Sequence, residues 1–357
     1  MSLEIRGRRI GRQEPLFVIA EVGLNHGGSL DRALQLVDAA AMAGAAAVKV
    51  QTIEADRLVA ADCPAPAHLD VPSLADFFRQ FEFDAAAYAV LAHRAHHWEM
   101  AFMATPFSLE SVDVLERAGV DAYKIASGDV TFHALIERCA ATRRPLVLST
   151  GLATLSEIAA AVGVARRAGA SGIALLHCVS AYPVPAGHEN LGAIATLTST
   201  FDLTTGLSDH APTTAGVAVA MALGAALYER HVVLHHGDDS VDAAVSSDPA
   251  DLAKVVMVAA DTRAALGDGL KLCQGPEAAN LVASRRALHA ARALPVGHMV
   301  GSEDVAVVRP ANGLPPAALP QLIGTRLQRE VAAGAPFVTT DLIYNGVFTD
   351  GSCCAVA

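Results

Sequence analysis

At 357 residues, 52% of them apolar, the chain is sized for one large domain with a small appendage and is too apolar to be disordered. Its formal charge of −11, with no basic run to offset it, excludes nucleic acid and anionic membrane surfaces as partners. Charges through Met1 to Arg9 fall where an export signal needs its apolar centre, and the cysteines show no CxxC spacing, so a cytoplasmic protein with reduced thiols is expected.

From Phe17 onward, short apolar runs alternate with longer amphipathic segments that end in glycine, the rhythm of strand and helix in turn. Strands are expected at Phe17–Val22, Ala47–Gln51, Ala101–Ala104, Ala122–Ala126, Leu146–Ser149, Gly172–Cys178, Asp202–Gly206 and Ala226–His231. Helices are expected after them, in order, at Leu30–Ala43, Ala85–Trp98, Leu109–Ala118, Phe132–Ala140, Leu155–Ala168, Leu191–Thr198, Thr213–Leu223 and Pro249–Leu266. Ser29, Ser108 and Asp248 stand at N-cap positions, and Gly44, Gly119 and Gly169 follow where helices end in a left-handed residue. Eight such units in about 250 residues predict an α/β fold, the closed (β/α)8 or TIM barrel, over 1–266. An open doubly wound sheet usually carries GxGxxG after its first strand, and Glu21-Val22-Gly23-Leu24-Asn25-His26-Gly27-Gly28 lacks that spacing. The stretch from Ile53 to Phe83, with Pro64, Pro66 and Pro72, interrupts the second unit and is expected to wall or cover the barrel mouth.

After Gly267 the rhythm stops. A linker is expected over 267–283, a small mainly-β domain over 284–347 and a loose tail over 348–357. Inside the small domain, Gly297 to Val305 repeats as Gly334 to Leu342 in its Gly, apolar and Asp positions, which predicts two similar turn-and-strand units. Such a domain buries little by itself and is expected to lean on a partner surface.

A barrel of this kind carries its active site at the C-terminal ends of its strands. In chain order those ends carry Glu21, then Lys49 and Gln51, Thr105, Lys124 with Ser127 and Asp129, Ser149, Ser180 and Tyr182, Ser208 with His210, and His231. Lysine is scarce, and two of only four, Lys49 and Lys124, sit in apolar runs where an unpaired ammonium is costly. Each needs an anion. Carboxylates such as Glu21 or Asp129 could serve as structural partners, or the two ammoniums could hold a phosphate together with the hydroxyls of Thr105, Ser127, Ser149 and Ser208. His210 and His231, at successive strand ends beside carboxylates, could be structural hydrogen-bonders or could ligate Mn²⁺, Zn²⁺ or Fe²⁺. His235-His236, just beyond, could form a second cluster or sit on a solvated loop, and the loop is the expectation.

Seven phrases stand in order at these ends: Ile19-Ala20-Glu21-Val22-Gly23-Leu24-Asn25-His26-Gly27-Gly28, Val48-Lys49-Val50-Gln51-Thr52, Ala104-Thr105-Pro106-Phe107, Tyr123-Lys124-Ile125-Ala126-Ser127-Gly128-Asp129, Leu148-Ser149-Thr150-Gly151, Leu176-His177-Cys178-Val179-Ser180-Ala181-Tyr182-Pro183 and Gly206-Leu207-Ser208-Asp209-His210. In them the chain resembles the sialic acid (N-acetylneuraminate) synthases, which condense phosphoenolpyruvate with an N-acylated mannosamine-type sugar, and their spore-coat polysaccharide relatives. Val308-Arg309-Pro310-Ala311-Asn312-Gly313 is similar to that family's antifreeze-like (SAF) domain.

The resemblance implies that Lys49, Thr105, Lys124, Ser127, Ser149 and Ser208 hold phosphoenolpyruvate, with Ser180 where the family has an asparagine. It implies Mn²⁺ on His210 and His231 with Glu21 nearby, and a sugar faced by Gln51, Asp129, Tyr182 and Asp242. Glu21 or Asp129 would activate the water. Arg309 would reach across from the other subunit's SAF domain, which makes a domain-swapped homodimer. Asp239-Ser240-Val241-Asp242 departs from the family's usual Pro-Gly-Pro-Asp, and the acceptor stays open among N-acetylmannosamine, its 6-phosphate and a di-N-acetylated 6-deoxy sugar of the legionaminic or pseudaminic kind. Two rivals differ in chemistry. A metal-dependent hydrolase of the amidohydrolase type wants a His-x-His pair where Glu21 stands, and a non-catalytic carbohydrate-binding protein has no use for buried lysines and paired histidines.

Overall fold

The computed structural model describes residues 3–64 and 71–343, and the chain divides into two compact units at Asp268 and Gly269. The expected tail over 348–357, with Cys353 and Cys354, lies outside the described residues. The described cysteines, Cys63, Cys139, Cys178 and Cys273, are free thiols.

The first unit opens with a hairpin, β1 (Leu3–Ile5) and β2 (Arg8–Ile10). Arg6 and Gly7 join them with φ of 48° and 73°, the left-handed pair that a two-residue hairpin turn demands. Leu3, Ile5 and Ile10 pack with Phe17, Ala101, Ala226 and Leu227 and plug the N-terminal end of the barrel. Strands of three residues carry too few alternations to show a period in the sequence, so this element comes as an addition.

Eight parallel strands follow: β3 (Phe17–Glu21), β4 (Ala47–Thr52), β5 (Ala101–Pro106), β6 (Ala122–Ile125), β7 (Leu146–Ser149), β8 (Ile173–Cys178), β9 (Thr204–Asp209) and β10 (Leu227–Val232). Each pairs with the next, and β10 also pairs with β3, which closes the expected TIM barrel. The helices are α1 (Leu30–Met42), α2 (Ala55–Leu58), α3 (Leu74–Arg79), α4 (Ala85–His97), α5 (Leu109–Ala118), α6 (His133–Ala141), α7 (Leu155–Ala168), α8 (Ala193–Phe201), α9 (Gly216–Ala222) and α10 (Pro249–Leu266). Helix α7 shows why they form and stop. Thr154 and Glu157 make a reciprocal capping box, Ile158, Ala161, Val162 and Ala165 form one buried stripe, and Gly169 ends the helix at φ 95°.

Most strand limits fall within one residue of expectation, and two strands differ by more. β5 runs on through Thr105 to Pro106, and β9 occupies Thr204–Asp209 in place of Asp202–Gly206. Asp202 instead takes φ 50° at the end of α8. Ser208 and Asp209 are strand residues despite their polarity, because alternate side chains on a barrel strand face opposite layers and both layers hold polar partners here. In the described parts of the 53–83 stretch, α2 and α3 bring Leu58, Phe77, Phe78 and Phe81 onto Leu24, Ile53 and Phe107. Leu24 and Phe107 stand in the turns that leave β3 and β5, so this cluster stands at the barrel mouth.

The second unit has its own core of Leu288, Leu294, Val300, Leu322, Leu327 and Phe337. The repeat read in the sequence has a structural counterpart. Asp304 and Asp341, both buried, each accept the backbone N–H three residues earlier, at 2.9 Å from Gly301 and 2.7 Å from Val338. Each also pairs with an arginine at the matching place, Arg292 or Arg329. Each turn then enters a strand, β13 (Val305–Val308) or β15 (Leu342–Ile343), paired respectively with β12 (Ala287–Ala290) and β14 (Arg326–Leu327). Among the described residues no helix is long and apolar enough to cross a membrane.

Candidate active site

The C-terminal strand ends enclose a cavity of about 240 Å³. Strand alternation builds its wall, since residues two apart share a face. Lys49 and Gln51 on β4, Ser208 and His210 at the end of β9, and Glu229 and His231 on β10 are such pairs, and all six line the cavity. Glu21, Thr105, Lys124, Ser127, Ser149, Ser180 and Tyr182 complete the set that the structure brings together. Three sequence candidates are placed elsewhere. Asp129 ends the 3₁₀ turn Ser127–Asp129, one residue past the wall at Gly128. Asp242 stands behind His231, with Oδ2 3.3 Å from its Nδ1. Arg309 is exposed in the second unit, before a cis proline.

Both lysines find carboxylates. Lys49 Nζ lies 2.7 Å from Glu21 Oε2 and 4.0 Å from Glu229 Oε2, and it donates to Thr105 Oγ1 at 3.1 Å. Lys124 Nζ lies 3.6 Å from Glu229 Oε1 and donates to the Ile125 carbonyl at 3.4 Å. Ser208 Oγ donates to Glu229 Oε1 at 2.9 Å, and Gln51 Nε2 to Glu21 Oε1 at 2.8 Å. Of the two carboxylates the sequence offered as partners, Glu21 pairs with Lys49, and Glu229, which it did not offer, bridges both lysines. The signal for it was present, because Glu229 precedes His231 by two residues in a strand whose inner face is otherwise known.

The charges are unevenly compensated. Burial pushes the Lys49 ammonium down, but Glu21 and Glu229 outweigh it and its pKa ends raised. Burial also lowers Lys124, where Glu229 restores only part and Lys49 opposes, so its pKa stays depressed. Burial raises Glu229, yet Lys124, Lys49 and the Ser208 hydroxyl together hold it down at about 2. Asp129 is pushed up to about 6 by burial, with Lys124 opposing. Four atoms buried at this wall have no hydrogen-bond partner among the described residues: Glu21 Oε2, Glu229 Oε2 and His231 Nδ1, which have an ion-pair partner nearby, and Ser149 Oγ, which has no such pair. An atom of the latter kind is costly unless it meets a bound molecule.

His210 and His231 face one another with ring centroids 5.5 Å apart. Tyr182 lies tilted over His210, with ring centroids 4.1 Å apart, and meets His231 edge-on at 6.0 Å. His210 Nδ1 lies 3.2 Å from the Val179 carbonyl, which can only accept, so the proton sits there and Nε2 keeps its lone pair. Burial and the neighbouring His231 lower His210 to about 4, which keeps it neutral at pH 7. Burial lowers His231 as well, but Asp242 outweighs it and leaves that imidazole raised. A neutral imidazole with a free nitrogen facing a second imidazole fits a divalent cation that takes its remaining ligands from water or substrate oxygens, while the Glu21 oxygens are engaged by Lys49 and Gln51. Outside the cavity, His236 Nε2 lies 3.1 Å from Asp248 and 3.0 Å from Asp251, with its side chain 72% exposed as expected of a solvated loop.

A model described as the NeuB family matches residues 36–271, and a SAF domain model matches 285–343. The chain is similar to an N,N'-diacetyllegionaminic acid synthase of Campylobacter jejuni, 33% identical over 317 residues, which cover 86% of this chain and 94% of that protein. It is 30% identical to a pseudaminic acid synthase of the same species, over 91% of this chain and 96% of that protein. The crystal structure of an N-acetylneuraminic acid synthetase from Leptospira borgpetersenii aligns with a TM-score of 0.72 at 33% identity, covering 78% of this chain and 94% of that one. With its barrel, the polar ring at its mouth and these matches in agreement, the chain belongs to the NeuB family and carries a SAF domain.

Proposed function

We propose that the protein condenses phosphoenolpyruvate with the open-chain aldehyde of an N-acylated aminosugar, releasing phosphate and a nine-carbon 2-keto acid. One observation carries the reading: two buried ammoniums, Lys49 and Lys124, meet four hydroxyls at the cavity that also holds His210 and His231. In this reaction C3 of phosphoenolpyruvate bonds to the aldehyde carbon, water adds at C2, and the C2–O bond to phosphate breaks. The aldehyde oxygen takes up a proton. Lys124, the less compensated ammonium, gains most from a phosphate oxygen, while Lys49 and Thr105 orient the same group with Ser127, Ser149 and Ser208. Ser180 borders this half. A divalent cation held by His210 and His231, Mn²⁺ by resemblance, supplies Lewis-acid polarisation of the aldehyde when bound. Gln51 and Tyr182 face the acceptor, and Asp242 acts there through His231. Arg309 is proposed to reach the barrel of a second copy in a domain-swapped homodimer, and the compartment to be the cytoplasm.

The test is phosphate release from phosphoenolpyruvate with Mn²⁺ over N-acetylmannosamine, its 6-phosphate and a di-N-acetylated 6-deoxy sugar. Release with at least one of them, abolished in His210→Ala, is expected. No release above background with any sugar, with His210→Ala behaving as wild type, overturns the reading.

Asp129 also predicts a pH profile. A carboxylate base works only when ionised, and burial places this one at about 6, so kcat/KM is expected to fall as pH drops through that value. Asp129→Asn should lose this acidic limb and about 100-fold or more in rate. An intact limb in Asp129→Asn removes Asp129 from the role of base.

A further inference from the structure

The turn that leaves β3 is tied to a loop some two hundred residues away, and the tie is one side chain. Asn25 is fully buried. Its Nδ2 donates to the Val232 carbonyl and to Ser246 Oγ, both at 2.9 Å, and its Oδ1 accepts from the Asp242 backbone N–H at 3.0 Å. Ser246 Oγ passes its own proton to the Asp242 carbonyl at 2.7 Å. One amide thereby holds the loop where it leaves β10, at Asp242, and where it enters β11 (Ser246–Ser247). Only an amide offers two donors and an acceptor in this volume; a carboxylate cannot donate to Val232.

The rest of the turn shapes the same place. Gly23 holds φ 52°, and a Cβ there would stand 2.9 Å from His231 Nδ1 and 3.0 Å from Asp242 Oδ2, so a side chain at this position would collide with both groups. Arg32 on α1 donates from Nε to the Asn25 carbonyl at 2.7 Å and from Nη2 to both oxygens of buried Asp238, at 2.6 and 2.5 Å. The loop between Val232 and Ser246 has little regular structure of its own beyond the 3₁₀ turn Ala243–Val245. Its course depends on what it is fastened to.

We propose that Asn25 is a positioning residue, which hangs the 232–246 loop so that Asp242 is held against His231 and fixes the orientation of that imidazole in the cavity. Its kinetic consequence rests on the synthase reading above; the geometric claim does not.

The experiment is a double-mutant cycle of Asn25→Ala and Asp242→Ala in the full chain with Mn²⁺, with KM for phosphoenolpyruvate and kcat/KM for the acceptor measured separately. Asn25→Ala is expected to lower acceptor kcat/KM tenfold or more with phosphoenolpyruvate KM within twofold, and to cost less than a further threefold in the Asp242→Ala background. Additive losses, or an equal rise in phosphoenolpyruvate KM, overturn the proposal. Side-chain ¹⁵N spectra of the metal-free protein give a readout that needs no reaction: the His231 signals should move in both variants while those of His177 hold. An unmoved His231 in Asn25→Ala overturns the proposal even if the enzyme is active, and a wild type without turnover refutes the synthase reading while leaving this spectrum to decide. Should Asn25→Ala fail to fold, Ser246→Ala, which removes one partner of each group, takes its place in both measurements.

Discussion

Lys124→Met is expected to lower kcat/KM for phosphoenolpyruvate by roughly 30- to 5,000-fold while the barrel stays folded. The magnitude follows from truncating one member of a buried charge pair, about 2–5 kcal/mol, at about 1.4 kcal/mol per factor of ten. Lys124 is chosen over Lys49 because its charge is the less satisfied of the two. Glu21 sits 2.7 Å from Lys49, whereas the ion pair of Lys124 among the described residues is with Glu229 at 3.6 Å, a carboxylate shared with Lys49 and Ser208. Burial therefore keeps Lys124 depressed, and an arriving phosphate dianion relieves that strain more than it relieves any at Lys49. Methionine keeps the stem volume and removes the charge. The diagnostic pattern is a rise in KM for phosphoenolpyruvate, a parallel weakening of inhibition by inorganic phosphate, and an acceptor KM that moves by less than threefold. An unchanged response to both phosphate compounds would make Lys124 a structural partner of Glu229 and nothing more.

The barrel is legible in the sequence because its strands are buried on both sides. Val, Ala and Leu then run without a break, and the helices between them keep a 3.6-residue stripe and ordinary caps. The polar ring is legible for the opposite reason, since Lys49 and Lys124 interrupt such runs where an ammonium has no business without an anion. What stays hidden depends on pairing. Glu229 lies inside a strand, and only knowing that His231 faces inward makes its neighbour two residues back a cavity residue. Asp242 carries no sign in its own surroundings that it backs an imidazole. Asn25 reads as part of a glycine-rich turn until Val232, Asp242 and Ser246, about two hundred residues on in the chain, are brought to it by the pairing of β10 with β3. The repeat in the second unit was readable because both copies keep the same buried aspartate, Asp304 and Asp341, and each aspartate does the same local job.

Glu229→Gln is expected to destabilise the barrel by about 3–5 kcal/mol, the cost of leaving buried charge uncompensated. At roughly 2–4 °C per kcal/mol for a domain of this size, Tm should fall by about 6–20 °C at pH 7. The carboxylate is 5% exposed and stands between two ammoniums, so its neutral isostere leaves Lys49 with Glu21 and Lys124 with no ion pair among the described residues. The sign with pH follows from the folded carboxyl being held at about 2 against an ordinary 4.5. Its stabilising contribution is complete above the ordinary value and is lost as pH falls toward the folded one. The gap between wild type and Glu229→Gln should therefore be constant from pH 7 to about 5 and close below that. A gap that persists unchanged at pH 3 would assign the loss to packing. Adding Lys124→Met to Glu229→Gln should restore part of the lost stability, because the cation left behind is the source of the cost. That same double variant is expected to bind inorganic phosphate more weakly than Glu229→Gln alone, which would tie the carboxylate's structural task to the proposed phosphate site: it neutralises the ammonium until a stronger anion arrives.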